Sequence, residues 1–551
     1  MKNTVALFKG RPFSPNSPDA NEAYWPPLPT LSLAGPLRQA GFRVLMLDYR
    51  QSVEENWQIL KEHLDDVLCL GISAQTGYEV HEGLAMIDAL KAARTDIPVV
   101  WGGWHACVLA AETLADPGVD IVVAGLGQKA VVRIAQRLQA GVRHFSDIPY
   151  TTAKPEWDRD PPPAGEAKLD AMDLSEVELP AYDLLDLDYV RADSLLTIRQ
   201  PVARNLTITG KINYVTSFGC PFHCTYCCNP EVFGPAWAGY PVPKVVAQLK
   251  WLNERGFNYV EFIDAELLAR WHRVKELTQG IIDAGIPLRW ASQATVKAII
   301  ALDRRGLMPL LVESGCFALN VGAESGSANI LDYVRKRQSF EDILHAARIL
   351  DKYEIEASFN CLAGFPKREG LDDIIETFGL AFAIKKINSH FMFPISFYTP
   401  LPGSAMYADC LEAGFKPPLS LREWGAYDPT YRTQAGSLPW RNVAMEKLVY
   451  LVLTFFLPLA VPGNIHRGTI THLKHHLETH PLRGLIWVGH KLAYWRMTRS
   501  FYGFPVEQSL FRLWRWLSGK REYVPGMRVE NTVIRDDTTG GANPVPVGKL
   551  P

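Results

Sequence analysis

Twice along this chain, short apolar runs alternate with amphipathic stretches, and no other feature restricts its fold as much. The first series is TVALF (4–8), FRVLMLDY (42–49), VLCLGIS (67–73), IPVVWGG (97–103) and VDIVVAG (119–125), with helical patterns such as EGLAMIDALKAA (82–93) and KAVVRIAQRLQ (129–139) between them. The second is INYVTSF (212–218), YVEFID (259–264), LRWASQ (288–293), FALNVG (317–322), EASFNCLAG (356–364) and FMFPISF (391–397), separated by stretches such as VVAQLKWLNERG and EDILHAARILDKYE. Strands apolar on both sides and joined by helices predict parallel sheets covered on both faces.

Five units over residues 1–140 suit a flavodoxin-like, doubly wound domain, which binds ligands at the carboxyl ends of its strands. Those ends read SAQTG (73–77), GGWHA (102–106) and GLGQ (125–128), and glycine there lets backbone approach a flat or phosphate-bearing ligand closely. Six units over 211–415 suit a partial (β/α)6 barrel, again with its active end at the strands' carboxyl termini. Residues 141–210, rich in proline and acid, read as an extended linker packed over its neighbours. The stretch 416–525 reads as a mostly helical region, and 526–551 as a disordered tail.

A chain of 551 residues with 47% hydrophobic and 21% charged content is a multidomain globular protein. A net charge of −2 gives no overall pull towards nucleic acid. Nine cysteines are too sparse for a disulfide scaffold, and the start, MKNTVALFKGRPF, lacks the apolar core of a signal peptide, so a reducing cytoplasm is expected. LVYLVLTFFLPLAV (448–461) is shorter than the roughly 20 residues that span a bilayer and contains Pro458, which leaves a buried or interfacial helix. Between Gly463 and Arg521 ten Lys and Arg face only Glu478 and Glu507. A packed cap with a basic rim, an apolar substrate tunnel or peripheral contact with a membrane surface all suit that region. His472 and His476 share a helix face, where a solvated basic helix is the simpler reading than a metal site.

SFGCPFHCTYCCNP (217–230) follows the first strand of the second series at once. Cys220, Cys224 and Cys227 stand in C-x3-C-x2-C spacing, with Cys228 beside the last. Three thiolates on one short loop leave a tetrahedral metal incomplete, yet they suit a [4Fe–4S] cluster with one iron open to an external ligand. Zinc completed by His223 or Cys228 stays open as an alternative, although so tight a loop would strain it. A Cys227–Cys228 disulfide is geometrically awkward. Cys69 and Cys107 lie on apolar segments and read as packing residues, and Cys316 as structural; Cys361 and Cys410 fall near the active end.

The loop resembles the hallmark of the radical S-adenosylmethionine superfamily, C-x3-C-x-φ-C, with Tyr226 as the aromatic φ. FIDAE (262–266), VGAESGS (321–327), CLAGFP (361–366) and TPLPGSAMY (399–407) are similar to further motifs of that superfamily and occur in the same order. The resemblance implies that Cys220, Cys224 and Cys227 hold the cluster. It also implies that Tyr226, Asp264, Glu266, Gln293, Glu324, Ser325 and Gly364 contact S-adenosylmethionine. An external reductant such as flavodoxin or ferredoxin would supply the electron.

VVWGGWHACVLAAETLADPGVDIVVAGLGQ (99–128) and LPAYDLLDLDYV (179–190) resemble the cobalamin-binding branch of the superfamily. Ser73, Gly102, Gly103, His105, Gly125 and Gly127 would then line the corrinoid site. The chain departs from the branch at Leu126 and Gln128, where acids are common, and it lacks a D-x-H-x-x-G motif, so no histidine is marked as a cobalt ligand. The implied activity is methyl transfer to an unactivated carbon of a small or lipid-like substrate. Ring closure or net oxidation with the same cofactors is the first alternative, and a non-catalytic corrinoid or iron–sulfur sensor is the second.

Overall fold

The computed structural model describes residues 2–14, 24–163, 166, 169–196, 207–233, 236–427, 438–461 and 483–503. All of them belong to one compact unit, Met1–Phe504. His472, His476 and the expected tail 526–551 lie outside the described residues.

The first sheet comprises β1 (Thr4–Lys9), β2 (Arg43–Asp48), β3 (Val67–Ser73), β4 (Val99–Gly102), β5 (Ile121–Val123) and β6 (Thr151–Ala153). Its order is β2-β1-β3-β4-β5-β6, parallel throughout except for the antiparallel β6. β1 and β3 are buried along their whole length, as two-sided apolar strands must be. One face packs Phe8, Ile72, Leu84 and Trp101; the other packs Val5, Leu7, Cys69 and Ile134. The chain leaves β1 for β2 on one side and for β3 on the other, so a crevice opens at the carboxyl ends of β1 and β3.

The second sheet contains β7 (Lys211–Tyr214), β10 (Tyr259–Phe262), β11 (Arg289–Thr295), β12 (Cys316–Glu324), β13 (Glu356–Ala363) and β14 (Ile395–Phe397). These six strands are parallel and follow one another in space, an open half-barrel. Tyr259, Ala291 and Phe317 cluster with Ile208. Between β7 and β10 lies a small antiparallel pair, β8 (Ser217–Gly219) and β9 (Trp237–Gly239).

The strand expected over 212–218 is therefore interrupted. Its break has a local cause: Asp264 accepts the Thr216 amide at 3.0 Å and the Thr216 hydroxyl at 2.6 Å, and Ser217 Oγ donates to it as well. These bonds pull Thr216 and Ser217 out of the β-ladder and turn the chain towards the cysteines.

The segment 141–210 carries more regular structure than an extended linker, namely β6 and a helix over Leu187–Leu196. Tyr182 stacks on Tyr214 with centroids 5.5 Å apart and donates to the Asn213 carbonyl at 2.7 Å, while the Ala181 amide donates to Leu31. One short stretch thus touches both sheets' domains. Beyond the half-barrel the described chain is helical: Tyr407–Glu412, Leu421–Gly425, Val443–Ala460 (with a π turn at Val452–Phe456) and Arg483–Arg499. Val443–Ala460 is long and apolar enough to cross a membrane by length and composition, and nearly half of it is buried against the protein.

Candidate active site

The cysteine loop is pinned on three sides. Thr225 donates its amide to Val334 and its hydroxyl to Tyr333, and its carbonyl accepts the Met406 amide at 2.8 Å. Cys227 and Cys224 close a turn through N–H···O, and the Asn229 amide donates to Cys227 Sγ at 3.4 Å. Such N–H···S contacts favour a thiolate over a thiol. Cys220, Cys224 and Cys227 are unbridged and half-buried, and burial pushes the thiols of Cys220 and Cys227 up to about 11. His223 is exposed. Among the described residues no three Cys, His, Asp or Glu side chains converge as a single metal ion would need. Three thiols on one pinned loop are the donor set of a multi-iron cluster.

Sequence reading missed the cation beside this loop. The Lys336 side chain is 9% exposed, with its ammonium 2.7 Å from Glu324 Oε1 and 3.4 Å from the Tyr226 hydroxyl. Burial opposes its charge, but Glu324, then Cys224 and Glu266, hold its pKa above the ordinary lysine value. Glu324 sits at φ 63°, a strained conformation for a side-chain-bearing residue. Lys336 lies within a surface-like run, VRKRQ, in which nothing marks one base as different from its neighbours. Only the fold of the β12 exit beneath the loop selects it. Glu266, which is buried, has its pKa pushed up to about 7 by burial and lies close enough to raise that of Cys220.

The structure brings Tyr226, Glu266 and Glu324 together around the cysteines. Gln293 is exposed in the middle of β11, in register with Asn320 on β12, which is in register with Ser358 on β13. Gly364, at φ 75°, opens the loop after β13. Glu369 clamps that loop by accepting the amides of Gly364 at 2.5 Å and Phe365 at 3.0 Å, while Trp440 Nε1 donates to the Gly364 carbonyl at 3.0 Å. Two expected residues are turned to other partners. Asp264 is engaged by Thr216 and Ser217 as described, and the Ser325 hydroxyl lies 2.9 Å from Thr377 Oγ1 on the outer helix Leu371–Ile387.

Burial pushes the Glu369 carboxyl up to about 7, which the two amides only partly offset. Its folded pKa lies above the unfolded one, so the folded protein holds the extra proton between the two values. Stability is then fully present below about pH 4.5 and is lost as pH rises through 7, by roughly 3 kcal/mol. Glu369→Gln is expected to flatten this part of the profile, measured as unfolding midpoint at pH 5 and pH 8.

A cavity of about 730 Å³ fills the β1/β3 crevice. Ser73, Gly102, Gly103, Gly125 and Gly127 all line it. Ser217–Gly219, Asn229 and Phe233, on either side of the cysteines, line its other wall. Gly103 has φ 90°, and a Cβ there would stand 2.6 Å from the Ala74 amide; at Gly125 it would meet the Tyr150 ring at 2.7 Å. Gly103→Val is expected to reduce cobalamin retention at least tenfold, checked by the corrinoid absorbance that survives gel filtration.

His105, by contrast, does not line the cavity. It is fully buried, its Nδ1 is 3.0 Å from Thr76 Oγ1, its ring meets Trp424, and burial pushes its pKa down to about 4. The helix Trp104–Val108 turns Trp104 and Cys107 towards the cavity and His105 away.

Comparison with known proteins agrees with this two-part site. Residues 21–135 match the B12 binding domain family, and residues 214–381 match the radical SAM superfamily. The chain is a cobalamin-binding radical S-adenosylmethionine enzyme. The [4Fe–4S] cluster, S-adenosylmethionine and cobalamin are its cofactors.

This radical S-adenosylmethionine enzyme is 25% identical to an uncharacterized methyltransferase of Pyrococcus horikoshii over 68% of its own length and 76% of that protein. It is 24% identical to an anaerobic magnesium-protoporphyrin IX monomethyl ester cyclase of Cereibacter sphaeroides, over 70% of its length and 60% of the cyclase. Its fold is that of the cobalamin-dependent S-adenosylmethionine radical enzyme OxsB, solved with aqua-cobalamin and S-adenosylmethionine bound: TM-score 0.63, 14% identity, 94% of this chain and 76% of that one. As an enzyme with both domains, it does not fit the sensor reading.

Proposed function

We propose that this enzyme transfers a methyl group to an unactivated carbon of a small or lipid-like substrate. The observation that carries this reading is the shared wall: the residues flanking the cysteines also line the glycine-rich cavity. A substrate held there would lie within reach of both reactive centres. When bound, the cluster with S-adenosylmethionine supplies a carbon-centred 5′-deoxyadenosyl radical, and cobalamin supplies a transferable methyl group.

In this reading Cys220, Cys224 and Cys227 hold the cluster. Lys336, kept charged by Glu324, would suit the carboxylate of S-adenosylmethionine, while Glu266 and Glu324 would suit its ammonium. Glu369 and Trp440 fix the Gly364 loop against the nucleoside. Gly102, Gly103, Gly125 and Gly127 would keep side chains off the corrin, and the described cavity-lining residues include no imidazole. Gln293, Asn320 and Ser358 present hydrogen-bonding groups in the barrel.

The similarity to the cyclase supports a second reading, ring closure or oxidation without methyl transfer. The test is anaerobic reconstitution with hydroxocobalamin, reduction with S-adenosylmethionine, and mass spectrometry. 5′-Deoxyadenosine together with S-adenosylhomocysteine supports methyl transfer. 5′-Deoxyadenosine alone overturns it in favour of cyclisation or oxidation.

A further inference from the structure

We propose that the outward face of the helix Arg483–Arg499 docks on an anionic lipid bilayer. This helix buries its small and mixed residues and exposes its aromatic ones. Ala493, Arg496 and Met497 are buried, and His490 Nδ1 lies 2.9 Å from the Leu459 carbonyl of the apolar helix beneath. On the opposite side Trp487 is 57% exposed and Trp495 48% exposed, two turns apart on one stripe. Val488 and Tyr494 flank them in the open, and Phe501 beyond the helix end pairs with Trp495 at 5.8 Å. Lys491 lies between the two indoles, its ammonium 5.6 Å from the centre of the Trp487 ring.

Two properties select a bilayer over other occupants. Its exposed cations are Lys491 and Arg499, and the helix contains no acid, so the face complements a negatively charged surface. Indoles and a tyrosine rim suit the headgroup depth, where the ring is amphipathic and a lysine stem reaches past it to phosphate. A second copy of the chain would set Lys491 and Arg499 against themselves across a two-fold axis, a like-charge contact. The inference does not depend on which reaction the enzyme performs.

The test is flotation of the full chain with phosphatidylglycerol–phosphatidylcholine vesicles and with phosphatidylcholine alone. The expected result is binding to the anionic vesicles, weakened by salt, and reduced by at least about tenfold in W487S/W495S. Tryptophan fluorescence should be quenched by brominated lipid in the parent and much less in that variant. Because both indoles are exposed, the variant should keep its melting temperature and its yield of 5′-deoxyadenosine. Three results would each overturn the inference: no flotation; equal flotation of W487S/W495S, which would place the contact elsewhere; or equal binding to pure phosphatidylcholine. A lipid-free shift from dimer to monomer in the double variant would also overturn it and assign the face to a second copy.

Discussion

Cys224→Ala is expected to remove the iron–sulfur cluster and abolish 5′-deoxyadenosine formation, a loss of at least about 10³-fold. The loop carries the three thiols that would hold the cluster, and deleting one would leave an iron without its protein ligand. Iron and sulfide content after anaerobic reconstitution reads the first effect, and reductive cleavage of S-adenosylmethionine reads the second. Cys228→Ala is the control. Cys228 is half-buried beside the other three, and it also lies near Cys107, which lines the cavity. Its removal is expected to leave cluster iron intact, and equal iron loss in the two variants would show that the ligand set is wrong.

Lys336→Met is expected to have the next largest effect, and it acts in two separable ways. The variant leaves Glu324 buried without its 2.7 Å partner, which costs roughly 3–5 kcal/mol of stability. It also removes a largely enclosed cation beside the cysteines, so the Kd for S-adenosylmethionine should rise about 10- to 100-fold. The double variant Glu324→Gln, Lys336→Met separates the two. Removing both charges restores much of the stability, because no unpaired charge remains, but it does not restore binding. If the double variant regained S-adenosylmethionine affinity together with its melting temperature, Lys336 would be a structural residue only.

Much of the architecture is legible in the sequence. The two-sided apolar runs had to become covered parallel strands, and VLCLGIS forms β3 over the residues expected. The glycine-rich strand ends had to lie together once the order β2-β1-β3-β4-β5 formed, because that order opens its crevice where they fall. The exceptions share one cause, long-range polar contacts with no local signal. INYVTSF has strand periodicity to its end, yet Asp264, which follows the next barrel strand, breaks it at Thr216. His105 sits in a loop-like glycine motif and reads as exposed to a ligand. The five-residue helix Trp104–Val108 instead rotates it towards Thr76 and Trp424.

By itself, the sequence determined the order of strands and helices, the glycine-lined strand ends and the three closely spaced cysteines, because periodicity and spacing act within a few turns of chain. Only the tertiary structure decided which polar side chains meet. Lys336 found Glu324 and Tyr226, Glu369 took the Gly364 loop, and Ser325 turned to Thr377, because each pairing depends on how separate segments pack and on the cost of burying a charge alone.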